Sequence, residues 1–189
     1  MKLNNKYFIL RHGEALSNVK EIVSSWPEKF KNQLTKNGVL QIKSAADELR
    51  EKNIDLIFAS PLLRTKQTAE IISKQLKIRV RFDKRLKEIA FGIFSGGPAK
   101  SFVNFFENRL ERIKKGAPKG ESYTDVSKRM ILFFKETNNK YKGKNILIIS
   151  HQAPLFLLEG YIMGLSTTEI IKKFPKERML RKGQIKELN

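Results

Sequence analysis

The chain has 189 residues, of which 40% are hydrophobic and 30% charged, a balance that fits one compact domain and excludes wholesale disorder. Its 38 basic and 19 acidic residues give a formal net charge of +19, which favours an anionic partner without naming it: nucleic acid, a membrane surface or a phosphorylated metabolite. The lack of cysteine excludes disulfides, zinc–thiolate sites and thiol nucleophiles.

Short apolar runs alternate with helical patterns along the chain, which predicts an α/β fold with a largely parallel sheet. The first half contains a buried strand at 7–10, a helix over 34–52 and a buried strand at 55–59. A helix with Ser60 as its N-cap and Pro61 at its first position then runs through Leu76, followed by a half-buried strand at 78–82. The second half contains an irregular stretch over 83–98, helices over 102–113 and 121–138, a strand at 145–149, a helix over 153–163 and an edge strand at 184–188.

The sequence offers no segment for membrane insertion or export. No apolar stretch approaches the roughly 20 residues that a membrane-spanning helix needs. The first residues also lack the longer apolar region and the small-residue cleavage site of a signal peptide. We therefore expect a cytoplasmic protein without a membrane partner.

Both histidines of the chain directly follow predicted strands. His12 stands after the first strand, within Arg11-His12-Gly13-Glu14, and His151 stands after the most apolar one. Arg64 follows the strand at 55–59 and falls in the first turn of the next helix, where the helix N-terminus favours an anion. Ligands of open α/β sheets bind outside the carboxyl ends of the strands, so we expect these side chains in one crevice.

This grouping of residue types suits a phosphoryl group. The planar fork of arginine pairs with two phosphate oxygens at once. A neutral imidazole can attack phosphorus, and an imidazolium can donate a hydrogen bond to an oxygen. The sequence shows no cluster of carboxylates that would hold Mg²⁺, so the site is expected to work without a metal or another cofactor.

A series of short motifs in this order resembles the histidine phosphatase superfamily, the phosphoglycerate mutase-like group that uses phosphohistidine chemistry. The resemblance covers most of the chain. It implies a single histidine phosphatase domain over 1–189, built as a three-layer sandwich in which helices flank the central sheet. The motifs are Arg11-His12-Gly13-Glu14 with Asn18, and the segments 34–38, 60–69, 86–92, 120–122 and 148–151.

The resemblance implies a role for each matching residue. His12 is the expected nucleophile that becomes phosphohistidine, and Arg11, Arg64 and His151 are expected to bind the phosphoryl group and stabilise its transition-state charge. Glu88 is expected to protonate the leaving oxygen and then to activate the water that hydrolyses phosphohistidine. That role needs a carboxyl group whose pKa lies near the working pH, which partial burial provides.

Further residues are expected to bind phosphate or shape the pocket. Asn18 would donate another hydrogen bond to phosphate, and Gly13 would let the backbone approach it closely. Ser95 and Gln152 depart from the family pattern, which leaves the pocket shape and the substrate open. The phenylalanines also fit core packing, and 121–122 also fits an ordinary helix start. The expected pocket residues are Phe91, Phe94, Glu121, Ser122 and Gln152.

Three functions remain open at this point. The first is a metal-independent phosphomonoester hydrolase that acts on a small phosphorylated substrate through His12, as a monomer or a homodimer. The second is a phosphoglycerate mutase. Mutases of this kind are usually longer, and only residues 97–119 separate the acid region from Gly120 here, which favours an open pocket and hydrolysis.

The third function is an inactive module that binds a polyanion such as RNA. The basic clusters at 79–87 and 172–182 are expected to be solvated faces that attract anionic substrates. Few aromatic residues interleave with them, so a nucleic-acid partner is disfavoured.

Overall fold

A computed structural model describes residues 2–188, except for the side chain of Lys176. Its centre is a sheet of five strands. These are β1 (Lys6–Arg11), β2 (Leu56–Ala59), β3 (Val80–Phe82), β4 (Asn145–Ser150) and β5 (Ile185–Glu187). The order across the sheet is β3-β2-β4-β1-β5, and only β5 at the edge runs antiparallel to its neighbour.

α-Helices occupy the connections between these strands. They are α1 (Leu16–Val19), α2 (Lys36–Leu49), α3 (Leu63–Leu76), α4 (Ala99–Asn104), α5 (Tyr123–Lys140), α6 (Gln152–Ile162) and α7 (Thr167–Lys173). Short 3₁₀ turns lie between them, including 84–86 and 92–94 in the stretch expected to be irregular.

Alternation along the strands produces the three layers. On β1, Tyr7 and Ile9 face the core formed with α5, α6 and α7, whereas Phe8 and Leu10 face the core formed with α2 and α3. All four side chains are at most 3% exposed. The predicted three-layer α/β sandwich with a largely parallel sheet is thus confirmed.

The predicted helix start, with Ser60 as the N-cap and Pro61 as the first helical residue, is wrong, because α3 begins two residues later with Leu62 as its N-cap. The Ser60 hydroxyl accepts a hydrogen bond from the Leu62 N–H (3.4 Å), which holds the chain in a turn. The side chain of Glu28 then accepts from the free N–H of Leu63 at 2.8 Å. A carboxylate from a distant loop therefore satisfies the helix start.

The predicted helix over 102–113 is interrupted, because α4 ends at Asn104. The side chain of Asn108 accepts hydrogen bonds from the backbone N–H groups of Leu110 and Glu111, which redirects the chain into a turn. Two short helices, α1 and α7, were not predicted from the sequence. Within residues 2–188, none of the helices combines the length and the apolar character needed to cross a membrane.

Candidate active site

The carboxyl ends of three neighbouring strands bring the expected phosphoryl-binding residues together. β4 lies between β1 and β2, so His151 after β4 is beside His12 after β1, with ring centroids 5.1 Å apart. Arg64, on the first turn of α3 after β2, reaches the same place. His12, Arg11 and Arg64 line a cavity of about 780 Å³, and His151 is fully buried beside His12.

Two contacts define the state of His12. Its Nδ1 lies 2.7 Å from the carbonyl oxygen of Gly13, and its Nε2 accepts a hydrogen bond from Arg64 Nε at 3.1 Å. Burial, together with the charges of Arg64 and Arg11, lowers the pKa of His12 well below its usual value. The ring is therefore neutral at pH 7, with its lone pair on Nε2.

Gly13 fulfils a packing requirement next to this histidine. A side-chain carbon on Gly13 would lie 2.5 Å from the carbonyl oxygen of Gly38 on α2, and one on Gly38 would lie 2.0 Å from that of Glu14. Glycine at both positions lets α2 cross closely over the loop after β1. This packing is one reason for glycine at position 13, and the expected approach of its backbone to phosphate stays a prediction.

Arg64 is 3% exposed and is held from several sides. Its Nη2 donates to the carbonyl oxygen of Ser24 at 3.0 Å, and its Nη1 lies 3.6 Å from Glu28 Oε1. Burial lowers the pKa of Arg64 to about 10, but this value still leaves the guanidinium charged at pH 7. Glu28 thus fixes both the start of α3 and the arginine on its first turn.

Three buried nitrogen atoms near His12 have no hydrogen-bond partner among the described residues: Arg11 Nε, Arg64 Nη1 and His151 Nδ1. The opposite nitrogen of His151, Nε2, lies 2.8 Å from Ser60 Oγ. Buried polar atoms are normally paired, so a cluster of unpaired nitrogen atoms, two of them arginine donors, indicates a place for an acceptor-rich ligand. A phosphate group supplies such acceptors.

Glu88 lies on the wall of the same cavity. Its Oε1 accepts a hydrogen bond from the N–H of Ile89 at 3.0 Å. Burial raises the pKa of Glu88 above its usual value, although the nearby charges of Arg64 and Arg11 act in the opposite direction. The carboxyl group therefore holds a proton at higher pH than an exposed glutamate does, as a general acid must.

Arg129 fixes the loop that carries Glu88, and the sequence analysis missed it. From α5, it donates hydrogen bonds to the carbonyl oxygens of Arg85, Lys87 and Glu88. It also pairs with Glu121, whose other oxygen accepts from the N–H of Ala90 at 2.9 Å. The sequence offers one signal for Arg129, which is a single charged residue between the apolar positions on one face of α5.

The remaining expected residues divide into two groups. Asn18, Phe91 and Gln152 line the cavity. Asn18 Oδ1 accepts from the N–H of Ala15, which leaves its amide nitrogen for a ligand.

Phe94, Glu121 and Ser122 do not reach the cavity wall. Phe94 packs against Phe102 and Phe105, Glu121 pairs with Arg129, and Ser122 caps α5. Within the described part of the chain, no three His, Cys, Asp or Glu side chains are placed to hold a metal ion.

The sequence model of the histidine phosphatase superfamily (branch 1) matches residues 7–176. The chain belongs to this superfamily. Among curated relatives, the probable phosphoglycerate mutase GpmB of Photorhabdus laumondii is 29% identical over 163 residues, which are 84% of this chain and 74% of that protein. The protein of the same name from Yersinia pestis matches to the same extent.

Solved structures share this histidine phosphatase fold. The mycobacterial glucosyl-3-phosphoglycerate phosphatase superposes with a TM-score of 0.79 at 20% identity, covering 96% of this chain and 88% of that one. The α-ribazole phosphatase of Shigella flexneri gives 0.80 at 24% identity, with 96% and 89% covered. The phosphoserine phosphatase of Entamoeba histolytica, in complex with 3-phosphoglyceric acid, gives 0.78 at 24%, with 97% and 89% covered.

Proposed function

We propose that the protein is a metal-independent phosphomonoester hydrolase that acts through a phosphohistidine on His12. The observation that carries this proposal is the neutral, buried imidazole whose Nε2 lone pair faces Arg64 at the cavity wall. We also propose that residues 1–189 form one histidine phosphatase domain, and that its substrate is a small phosphorylated molecule.

In the first step, Nε2 of His12 attacks phosphorus, so that an N–P bond forms while the P–O bond to the alcohol breaks. Arg11, Arg64 and His151 donate hydrogen bonds to the phosphoryl oxygens, where negative charge develops. Glu88 transfers its proton to the departing oxygen. Its raised pKa supports this role because it keeps the carboxyl protonated for the transfer.

In the second step, water attacks the phosphorus of phosphohistidine while Glu88, now a carboxylate, accepts a proton from that water. The N–P bond breaks, inorganic phosphate forms and His12 returns to its neutral state. Water has access, because the cavity rim includes the exposed side chains of Glu21, Lys100 and Val103.

A phosphoglycerate mutase is the second candidate, favoured by the curated relatives of that name. A mutase would pass the phosphoryl group from His12 to a second hydroxyl of the substrate rather than to water. The exposed rim of the cavity favours water as the acceptor.

The decisive experiment measures phosphate release from para-nitrophenyl phosphate and 3-phosphoglycerate, with EDTA present, for the protein and for His12→Ala. We expect release by the unaltered protein alone, together with an acid-labile phosphoryl group on His12 detected by mass spectrometry after rapid quenching. Isomerised 3-phosphoglycerate without phosphate release would support the mutase. Activity that survives in His12→Ala, or disappears with EDTA, would contradict the mechanism.

A further inference from the structure

The cavity continues beyond His12 into a compartment with a different character. Its inner wall is aromatic, and two arginines that the mechanism does not use, Arg109 and Arg112, lie among these rings. Both belong to the segment between α4 and α5, within the stretch 97–119 whose shortness predicts an open pocket. The aromatic lining residues are Phe91, Phe102, Phe106 and Tyr123.

Arg112 is stacked between aromatic side chains. Its guanidinium carbon lies 4.7 Å from the ring centroid of Phe102 and 4.6 Å from that of Tyr123. Burial lowers the pKa of Arg112 and Arg109 acts in the same direction, whereas Tyr123 and Glu88 act against them. Arg112 is therefore near enough to Glu88 for their charges to interact, and both line the same cavity.

Arg109 stands beside Arg112 and is held at one end only. Its Nη1 donates to the carbonyl oxygen of Phe174 at 2.7 Å, and its guanidinium lies 5.4 Å from the ring of Phe156. Its Nη2 is buried and has no hydrogen-bond partner among the described residues, as is also true of Arg112 Nε.

Neither guanidinium has a carboxylate within 4 Å among residues 2–188. The acidic residues that line the cavity are Glu88 at the catalytic end and the exposed Glu21 and Glu107. Two neighbouring, partly buried cations without counter-charges are unfavourable unless a ligand supplies the charge.

Stacking alone does not account for this arrangement. Aromatic rings interact with the flat faces of a guanidinium, whereas its N–H groups point outward in the plane and need acceptors. The rings thus hold Arg112 in a fixed orientation, and unpaired donors remain at the edges of both arginines.

We propose that Arg109 and Arg112 bind a second anionic group of the substrate, so that the preferred substrates are small phosphomonoesters that also carry a carboxylate or a second phosphate. The inference rests on the proposed function in one respect: the scissile phosphate occupies the place beside His12. The second anion then neutralises the charge of this arginine pair, and the rings of Phe91 and Phe102 contact the part of the substrate between the two anions.

The test compares substrates that differ only in the second anion. The first pair is 3-phosphoglycerate and sn-glycerol 3-phosphate, in which a carboxylate is replaced by a hydroxymethyl group. The second pair is fructose 1,6-bisphosphate and fructose 6-phosphate, which tests a second phosphate instead. We expect kcat/KM to favour the two-anion member of at least one pair by about 10- to 100-fold, the range of one or two hydrogen bonds to a charged group. The favoured pair identifies the chemical type of the anion.

The variant test uses Arg112→Met, with Lys114→Met as its matched control. Both changes remove one positive charge from the same segment, but Lys114 is exposed and lies outside the cavity. We expect Arg112→Met to reduce the preference within the favoured pair by about tenfold, Arg112→Lys to restore part of it, and Lys114→Met to preserve it. Thermal melts of each variant verify that the chain remains folded.

Two results would overturn the inference: no preference in either pair, or equal preferences in Arg112→Met and Lys114→Met. Calorimetry on His12→Ala separates it from the proposed function, because binding of the same pairs needs no turnover. Tighter binding of the two-anion ligand that depends on Arg112, without phosphate release by the unaltered protein, would retain the subsite and refute the hydrolase. Phosphate release without any preference within either pair would retain the hydrolase and refute the subsite.

Discussion

The reactivity of His12 depends on its two hydrogen-bond neighbours, because Arg64 can only donate and the carbonyl oxygen of Gly13 can only accept. An arginine has no acceptor, so the contact from Arg64 Nε requires a lone pair on His12 Nε2, and the proton must then lie on Nδ1 against the carbonyl oxygen of Gly13. The nucleophilic nitrogen is therefore Nε2, which lies beside Arg64. We expect an arriving phosphate to take the donor of Arg64, which frees the lone pair of Nε2 for attack.

Glu88→Gln should separate substrates by their leaving groups. Glutamine keeps the size of the side chain but cannot donate an acidic proton to the departing oxygen. An alcohol needs that proton, whereas para-nitrophenolate leaves without it. We expect kcat/KM for an alkyl phosphate to fall about 10²- to 10⁴-fold, and that for para-nitrophenyl phosphate to fall much less. Steady-state kinetics of both substrates provide the measurement.

The pH dependence of kcat/KM provides a control for the Glu88→Gln prediction. Because burial raises the pKa of Glu88, the protonated acid persists to higher pH and is lost as the pH rises through that pKa. The alkaline decline of kcat/KM for the alkyl phosphate should disappear in Glu88→Gln. Equal losses for both leaving groups would exclude Glu88 as the acid.

At the scale of elements, the acid loop depends on a helix from a distant part of the chain. Arg129 on α5 holds three carbonyl groups of the loop, those of Arg85, Lys87 and Glu88, so it positions Glu88 without lining the cavity itself. We expect Arg129→Met to lower kcat about tenfold with a smaller effect on KM, since the phosphate-binding residues stay in place. A shift in the alkaline limb of the pH profile should accompany the loss, because the surroundings of Glu88 change.

Lys128→Met is the matched control for Arg129. Lys128 is exposed on the same turn of α5, so this variant removes the same charge without touching the loop. Arg129→Lys should recover little, because a lysine has no fork to reach several carbonyl groups. If Arg129→Met lowers only thermal stability and leaves kcat and the pH profile unchanged, Arg129 has no positioning role.

The sequence predicted where the strands of the sheet end, but it did not predict the contacts that hold the site residues in place beyond those ends. Apolar runs located β1, β2 and β4, and the parallel order then placed His12, Arg64 and His151 at one edge. The Glu28–Leu63 and Arg129–Glu88 contacts join segments 35 and 41 residues apart, for which local pattern carries no signal. The same limit explains the misplaced start of α3, since its N-terminal partner comes from another loop.

At the scale of the molecule, the net charge of +19 should affect how fast anionic substrates arrive. Lys84 is exposed just after β3, at the carboxyl-end edge of the sheet that holds the site, whereas Lys6 is exposed at the opposite end of β1. A charge near the cavity acts on the approaching anion, and one on the far side is largely screened.

We therefore expect Lys84→Glu to lower kcat/KM about twofold more than Lys6→Glu does at an ionic strength of about 0.02 M, where the Debye length exceeds ~20 Å. The two variants change the total charge equally, so that any difference between them comes from position alone. At about 0.5 M salt the difference should disappear, with kcat similar in both variants throughout. A difference that persists at high salt would mean that Lys84 acts through direct contact, and no difference at low salt would mean that the basic surface does not guide the substrate.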